Sequence, residues 1–404
     1  MVHPAATHPF GAYNKAARAW WSLTFPPIHG EAGEAVVDYF GNLFPNLNVI
    51  AVVNQPGLSN VCNAYHGGKV SHRRQSQRPI RQEIGRKMSQ LIAGTGSRRL
   101  NNETVWWLLT IQPETEEICD AVVCRIVTPL AAQARVWGAE RWAYTRSLNP
   151  AAPSVHFGAL APRAAFDRLR SFSQALVDQS HGEMGAMVIS DYTAAPPSTR
   201  WGKTTVTPGF EAALAKYGGV EGLHLAAEVC EVSSALAAWA LSRFPTVNSR
   251  ATLASLLLFD TCHAMMSGPH SSVWPDRRSI SWDYYWDSHL RSSTGHFGPQ
   301  AAQRREALVT RMAPRIVSAH RLMAATASEP AVENWRRKWS QAIDAYLYRA
   351  DKERVSRSAQ QLTMYQSNEL LNRLGLAVRD EATLGLYARS WSKAREADLL
   401  QAHP

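Results

Sequence analysis

The hydrophobic pattern of the chain changes at Tyr217. Upstream of this residue, short runs rich in β-branched and aromatic side chains alternate with helical stripes, whereas downstream the apolar spacing is almost wholly helical. Helices are predicted over residues 220–244, 249–266, 299–326, 330–348 and 352–374. A mixed first part followed by a helical second part predicts an α+β fold with a mostly helical C-terminal half.

The mixed part contains strands separated by helices. Strands are predicted at 104–111, 141–147, 154–161 and 187–192, with helical stripes at 114–139 and after Pro162. Pro129 is expected to kink or shorten the first of these helices. This order predicts antiparallel ferredoxin-like (split βαβ) sheet layers. We divide the chain into an N-terminal α+β region at 1–112, with further strands at 20–25 and 48–54, and a domain at 113–404.

The net charge of the chain indicates which partners it can attract, and its cysteine content indicates the cellular compartment in which it works. The formal net charge is +10, and basic residues crowd into a segment at 71–87. Such a segment attracts nucleic acid or an acidic peptide, and it is equally compatible with a solvated face. The five cysteines form no CxxC pair, and neither a secretory signal nor an apolar stretch of about 20 residues is visible. These features favour a reduced cytoplasm, without a zinc site or a membrane span.

Residues 267–298 interrupt the helical half and are rich in Gly, Ser, Trp, Tyr, His and Asp. A loop of this length within a folded unit is usually functional. Its hydrogen-bond donors and proton carriers are Ser279, Ser281, Tyr284, Tyr285 and His289, and its indoles are Trp274, Trp282 and Trp286. Each of these side chains has an alternative role in packing or capping the loop.

Four segments of the chain share an order and a character with one known family; they lie at residues 141–150, 153–158, 216–219 and 368–374. They resemble segments of the C-terminal domain of lantibiotic dehydratases, the lyase unit that removes glutamate from glutamylated Ser or Thr. They are similar, in turn, to an aromatic strand ending in Arg, a strand carrying two arginines, an Arg-Tyr-Gly-Gly turn, and a stretch with a histidine that ends in Asn-Arg-Leu. The resemblance covers roughly residues 119–374.

The chain departs from that family at the residues that elimination requires. His156 and Gly158 stand where the strand carries arginines, Lys216 stands at the turn arginine, and Asn368 stands at the late histidine. Lys lacks the bidentate carboxylate binding of Arg, and Asn is not a base. This profile resembles that of thiopeptide pyridine synthases, which join two dehydroalanines of a peptide by a formal aza-cycloaddition and then expel water and the leader peptide.

The resemblance implies site residues and partners. Proton transfer is assigned to Tyr285, His289, Ser281, Tyr284 and Ser279, and substrate contacts to His156, Arg146, Tyr144, Lys216, Trp282, Trp286 and Asn368. No metal or other cofactor is implied. The expected partner is a precursor peptide whose acidic leader binds Arg73, Arg74, Arg78 and Arg81. Other maturation enzymes, which glutamylate the peptide and eliminate glutamate, are expected to supply its dehydroalanines.

Two alternatives stay open. A divergent glutamate-elimination lyase would need His156 or Lys216 to replace the missing groups. A non-catalytic component that binds a leader or tRNA would use the basic segment, and a steep salt dependence would reveal tRNA binding. A non-catalytic component would not need the aromatic and titratable residues of 267–298, so tRNA is not expected as a partner.

Overall fold

The computed structural model describes residues 104–147, 149, 151–194 and 208–401. The elements predicted before residue 104 lie outside the described residues. So does the basic segment at 71–87, and with it the leader-binding prediction for Arg73, Arg74, Arg78 and Arg81.

Four antiparallel strands form one sheet. They are β1 (Thr104–Pro113), β2 (Arg141–Arg146), β3 (Val155–Pro162) and β4 (Met187–Ala194), in the order β2-β3-β1-β4. Helices connect β1 to β2 and β3 to β4, and this connectivity with this strand order is the ferredoxin-like arrangement. The predicted α+β fold class is confirmed. The boundary predicted at residue 112 falls inside β1, which lies between β3 and β4.

Two helices accompany the sheet. The first, α1, runs through three consecutive parts, Cys119–Val122, the π-helical Val123–Val127 and Thr128–Val136, and the second, α2, spans Phe166–Met184. Pro129 has no backbone N–H to donate, and the helix widens to π geometry just before it. Trp107 and Leu109, which alternate along β1, share one hydrophobic core with Ile126 of α1 and Leu169 of α2.

The second half is helical, as predicted. Its helices are α3 (Pro208–Tyr217), α4 (Val220–Arg243), α5 (Val247–Ser267), α6 (Pro275–Arg278), α7 (Trp282–Ser293), α8 (Ala301–Met312), α9 (Ile316–Ala327), α10 (Pro330–Lys352), α11 (Ala359–Arg373), α12 (Glu381–Arg389) and α13 (Lys393–Gln401). The helix predicted at 299–326 is divided into α8 and α9 by a turn containing Pro314. The helix predicted from residue 352 begins only at Ala359, after the capping box of Ser358.

The predicted loop at 267–298 is the main error in the secondary structure. It contains α6 and the three-turn α7. Ser281 begins α7, because its Oγ accepts the backbone N–H of Tyr284 at 3.1 Å. The polar and aromatic residues after Ser281 therefore have helical spacing, with Tyr285 and His289 buried on α7.

Helix α4 is long and apolar enough to cross a bilayer by length and composition. In the folded protein, however, 67% of its most apolar window is buried. That burial is typical of the central helix of a folded core, so the composition of α4 is weak evidence for a membrane span.

Side chains from the helical half cover the outer edge of β2. Asn372 of α11 accepts the N–H of Arg146 at 3.0 Å and donates to its carbonyl oxygen at 3.1 Å. Arg373 donates to the carbonyl oxygen of Tyr144 at 2.8 Å, and Ser234 of α4 accepts the Tyr144 N–H at 3.1 Å. These bonds satisfy backbone groups that an edge strand would otherwise leave open, and they attach the sheet to the helices.

The turn between α3 and α4 requires glycine. Gly218 and Gly219 have φ angles of +78° and +113°, which side-chain-bearing residues rarely adopt. Further along, a Cβ atom on Gly222 would lie 1.8 Å from the carbonyl oxygen of Tyr217. The first turn of α4 therefore packs directly on the backbone that precedes it.

We expect Gly222→Ala to lower the free energy of unfolding by about 1–3 kcal/mol, because the backbone must move to admit the methyl group. The matched control is Gly182→Ala in α2, where nothing lies within 4 Å of the added atom. Since alanine favours helix, that control should gain up to about 1 kcal/mol. Urea unfolding followed by circular dichroism measures both, and a neutral Gly222→Ala would contradict the close packing.

Candidate functional site

Two of the family-like segments meet in a buried ion pair. Lys216 Nζ donates to Glu369 Oε1 at 2.8 Å, and the two side chains are only 2% and 3% exposed. Arg373 Nη2 lies 3.4 Å from the other oxygen of Glu369. The Lys216 ammonium also lies 5.1 Å and 5.2 Å from the ring centres of Tyr217 and Tyr365. The cation predicted to hold substrate is thus neutralised inside the protein.

The tyrosines around this ion pair are neutral phenols. Burial raises the pKa of Tyr144 to about 12, and burial followed by the charge of Glu369 raises the pKa of Tyr217 well above its ordinary value. The Tyr144 hydroxyl donates to the carbonyl oxygen of Arg373 at 2.8 Å. Asn368, which precedes Glu369 on α11, is half-buried. The arrangement suits a rigid internal support for β2 and α11.

Arg146 is also engaged internally. Its Nη1 donates to Asp120 Oδ1 at 2.6 Å, while Arg250 Nη2 donates to Asp120 Oδ2 at 2.8 Å. The guanidinium packs against Gly375, where a Cβ atom would lie 2.9 Å from Arg146 Nη1. One carboxylate from α1 thus joins β2 to α5.

His156 lies on the opposite face of the sheet from Tyr144 and Arg146. In the register it pairs with Thr145, and neighbouring residues of a strand point to opposite faces. Its Nδ1 is 3.1 Å from Thr110 Oγ1 and its Nε2 is 3.0 Å from Ser154 Oγ. Burial lowers the pKa of His156 to about 3, so the imidazole is neutral at physiological pH. The structure therefore separates His156 from the other candidates for substrate binding.

The residues predicted for proton transfer, and the two nearby indoles predicted to contact the substrate, divide into exposed and more deeply buried groups. Ser279 and Tyr284 are exposed, and Ser281 caps α7. Tyr285, Trp286 and His289 are buried in the helical core, and the Trp282 indole N–H donates to the carbonyl oxygen of Arg389 at 3.0 Å. Ser279 follows α6, Ser281 caps α7, and the others lie on α7, where some are exposed and others are buried.

His289 forms a buried pair with Glu381. Its Nε2 lies 3.5 Å from Glu381 Oε1, and its ring rests on Gly385, where a Cβ atom would lie 2.6 Å from the imidazole. Burial lowers the pKa of His289 to about 4 and raises the pKa of Glu381 to about 7. Both groups are therefore mainly neutral between those pH values, and the pair holds one dissociable proton.

A surface groove offers room for a substrate. It has a volume of about 500 Å³ and lies where β2 meets α4 and α10. Its lining includes Arg141 and Trp142 from β2, Glu228 and Glu231 from α4, and Trp335, Lys338 and Gln341 from α10. This size falls in the range of small-molecule and peptide sites.

The groove combines indole surface with paired charges. Arg141 lies 3.2 Å from Glu228 and 3.3 Å from Glu231. Those two glutamates also pair with Arg349 and Arg135, respectively. Such a lining can stack planar rings on the indoles and can hydrogen-bond both the donors and the acceptors of a peptide backbone.

Most of the groove residues were not predicted from the sequence. Trp142 lies in a segment that resembles the family, but Glu228, Glu231 and Trp335 were missed. One signal was present, because Trp335 stands in an otherwise charged run of α10, where an indole is suited to line a cleft. Within the described part of the chain, no group of three or more His, Cys, Asp and Glu residues could hold a metal ion.

The His289–Glu381 pair gives a prediction about pH and stability. The contribution of neutral His289 to the unfolding free energy is lost as pH falls from 6.5 toward 4, because only the unfolded chain binds the proton in that range. The contribution of protonated Glu381 to the unfolding free energy is lost as pH rises from 4.5 toward 7, because only the unfolded chain releases its proton in that range. In the wild type, these two changes of unfolding free energy with pH have opposite signs between pH 4.5 and 6.5.

Replacing one residue of the pair should reveal how the other residue makes the unfolding free energy depend on pH. Relative to wild type, we expect Glu381→Gln to lose about 3 kcal/mol of unfolding free energy as pH falls from 6.5 to 4. His289→Gln should lose a similar amount as pH rises from 4.5 to 7. Glu306→Gln, at an exposed carboxylate, is the control and should follow wild type. Parallel curves of unfolding free energy against pH for all four proteins, measured by urea unfolding, would contradict the description of a neutral buried pair.

Comparisons with known proteins found similar solved structures but no significantly similar curated sequence. Three similar solved structures are a "Pyridine synthase, TbtD, from thiomuracin biosynthesis" (15% identity, TM-score 0.49, 74% of this chain and 99% of that chain), "TsrL" (16%, 0.43, 74% and 99%), and the "tRNA dependent lantibiotic dehydratase MibB from Microbispora sp. 107891" (16%, 0.41, 74% and 28%). The chain thus spans about a quarter of the MibB chain.

Residues 106–391 match a protein family described as "Lantibiotic biosynthesis dehydratase C-term". The match begins at the third residue of β1, includes the rest of the ferredoxin-like sheet and ends just after α12. It therefore covers the sheet, the groove and the buried ion pair together. Since it extends over well more than half of the sequence, the chain belongs to this family of peptide-maturation proteins.

Proposed function

We propose that the chain is a pyridine-forming cyclase that matures ribosomally made peptides. Its substrate is a leader-bearing precursor with two dehydroalanines, which it joins into a ring with loss of water and of the leader peptide. The observation that carries the proposal is the buried contact of Lys216 with Glu369. Glutamate elimination needs a free cation to hold the glutamyl carboxylate, and an ammonium that is 2% exposed and already paired does not serve.

Three other positions in the family-like segments support the same proposal. Arg146 is bound to Asp120, and His156 is neutral between two hydroxyls. Asn368 carries no basic group. The residues at the positions that elimination would use thus make contacts inside the protein or lack a charged or basic group.

Ring formation makes different demands on the protein. Two alkenes of one peptide must be brought together, which contributes several kcal/mol, and protons must be moved. The groove suits the first demand, because Trp142 and Trp335 offer faces for the heteroaromatic rings of such a peptide. Glu228, held by Arg141 and Arg349, is a fixed acceptor for backbone N–H groups.

The partners follow from this function. The precursor peptide would carry an acidic leader, and separate glutamylating and eliminating enzymes would supply the dehydroalanines. The leader is assigned to the basic segment at 71–87 on the ground of charge complementarity.

Mass spectrometry of the purified chain with a leader-bearing peptide that contains two dehydroalanines tests the function. We expect release of the leader as an amide, together with a smaller product that has also lost water. The matched substrate is the same peptide with one dehydroalanine replaced by alanine, which should stay unchanged. Loss of glutamate from a glutamylated precursor, with the dehydroalanine peptide unchanged, would instead establish the elimination lyase.

Substitution of a groove indole tests the place of binding. We expect Trp335→Leu to weaken binding of an azole-bearing precursor about three- to tenfold, which corresponds to an aromatic contact of roughly 0.5–1.5 kcal/mol. Trp137→Leu is the control, because Trp137 is similarly half-buried but packs on Phe172 outside the groove. Calorimetric titration measures both. Equal affinities for the two variants would place the peptide elsewhere.

A further inference from the structure

A histidine–aspartate pair lies at the surface, outside the groove. His270 follows α5, and its side chain is 46% exposed, whereas its partner Asp344 on α10 is 5% exposed. The imidazole Nδ1 lies 2.6 Å from Asp344 Oδ2, and the backbone N–H of His270 donates to Asp344 Oδ1 at 3.2 Å. Two bonds from one residue to one carboxylate fix both the loop and the ring.

The carboxylate of Asp344 is itself held from the other side. Arg278 of α6 is 2% exposed, and its Nη1 donates to Asp344 Oδ1 at 3.1 Å. Gly268 leaves the space for this carboxylate, since a Cβ atom there would lie 2.5 Å from Asp344 Oδ1. A carboxylate only accepts hydrogen bonds, so the proton of neutral His270 is on Nδ1 and its Nε2 is a base.

Aromatic contacts fix the plane of the imidazole. The His270 ring lies 4.5 Å from the ring of Tyr348, which is 5.4 Å from the ring of Trp274. The carboxylate thus sets the tautomer of His270 and the tyrosine restricts its rotation. A half-exposed imidazole held in this way has the parts of a general acid–base catalyst: a basic nitrogen, an orienting carboxylate and access for a substrate.

The pair stands on the helix that lines the groove. Gln341 lines the groove, and Tyr348 lies seven residues further on the same face of α10, about 10 Å along the helix axis. Arg349, the residue after Tyr348, pairs with Glu228 of the groove. An extended peptide spans about 10 Å with three residues, so a chain bound in the groove can reach His270.

We propose that His270 is a catalytic residue that moves the proton in release of the leader peptide, and that Asp344 is its positioning residue. This inference rests on the proposed cyclase function. Nε2 takes a proton from the C–H bond of the dihydropyridine ring, and the electrons of that bond complete the aromatic ring. The C–N bond to the leader breaks with its electron pair on the amide nitrogen, which receives the proton back from Nε2. The step is redox-neutral and regenerates His270.

Single-turnover mass spectrometry on the full chain tests this step. With a leader-bearing peptide that contains two dehydroalanines, we expect His270→Gln to slow leader release on the order of a hundred- to ten-thousandfold, with KM little changed. A species that has lost water but keeps its leader should accumulate. His181→Gln is the matched control, because His181 is exposed on α2 and does not line the groove. It should release the leader at the wild-type rate.

Asp344→Asn tests the positioning role by nitrogen-15 NMR of the imidazole. In the folded wild type at alkaline pH, the chemical shifts should place the proton on Nδ1, whereas in the variant Nδ1 and Nε2 should share it. A merely structural carboxylate would leave the His270 tautomer unchanged in the variant, and that outcome would overturn the positioning role.

Failure of the inference and failure of the function give different spectra. A wild type that forms product while His270→Gln releases the leader equally fast would overturn the role of His270 and leave the cyclase function intact. An increase in KM alone would also overturn it, because the residue would then bind the substrate without moving the proton. A wild type that leaves the peptide unchanged would overturn the cyclase function and the inference with it.

Discussion

The buried ion pair between Lys216 and Glu369 connects the parts of the fold that the rest of the structure depends on. Lys216 lies near the end of α3, just before the turn into α4, and Glu369 lies on α11, whose next turn carries Asn372 and Arg373. Those two residues hold the edge of β2. Moving charges out of water is costly, and removing one partner of such a pair typically costs about 3–5 kcal/mol. The pair therefore joins α3 to α11, whose Asn372 and Arg373 attach the helical half to the sheet.

This use of charge has a consequence for chemistry. A cation that stabilises the fold from the interior is not available to a substrate, and the same holds for Arg146, whose guanidinium is paired with Asp120. Recognition must then come from side chains that are accessible. The polar and aromatic groups that line the groove are indoles, the ion pairs of Arg141, and the side chains of Lys338 and Gln341. They can stack on planar rings and hydrogen-bond the polar groups of a peptide backbone.

The sequence predicts the elements better than it predicts their assembly. Alternating apolar residues and the order of elements were sufficient for the ferredoxin-like sheet, because each strand and helix has its own periodicity. Helix α7 was missed because its aromatic and polar residues lie between Gly- and Ser-rich ends, although Ser281 is a recognisable cap. The faces of His156 and Tyr144 depend on the strand register, which composition does not encode. The groove joins Trp142 to Trp335 across almost two hundred residues, beyond any local pattern.

Helix α10 carries residues of both the groove and the His270–Asp344 pair. Trp335 and Gln341 line the groove, while Asp344 and Tyr348 hold His270 one to two turns further along. A helix keeps this separation constant at about 10 Å, a distance that a short extended peptide spans with three residues. The geometry of α10 is therefore compatible with the peptide substrate that we propose.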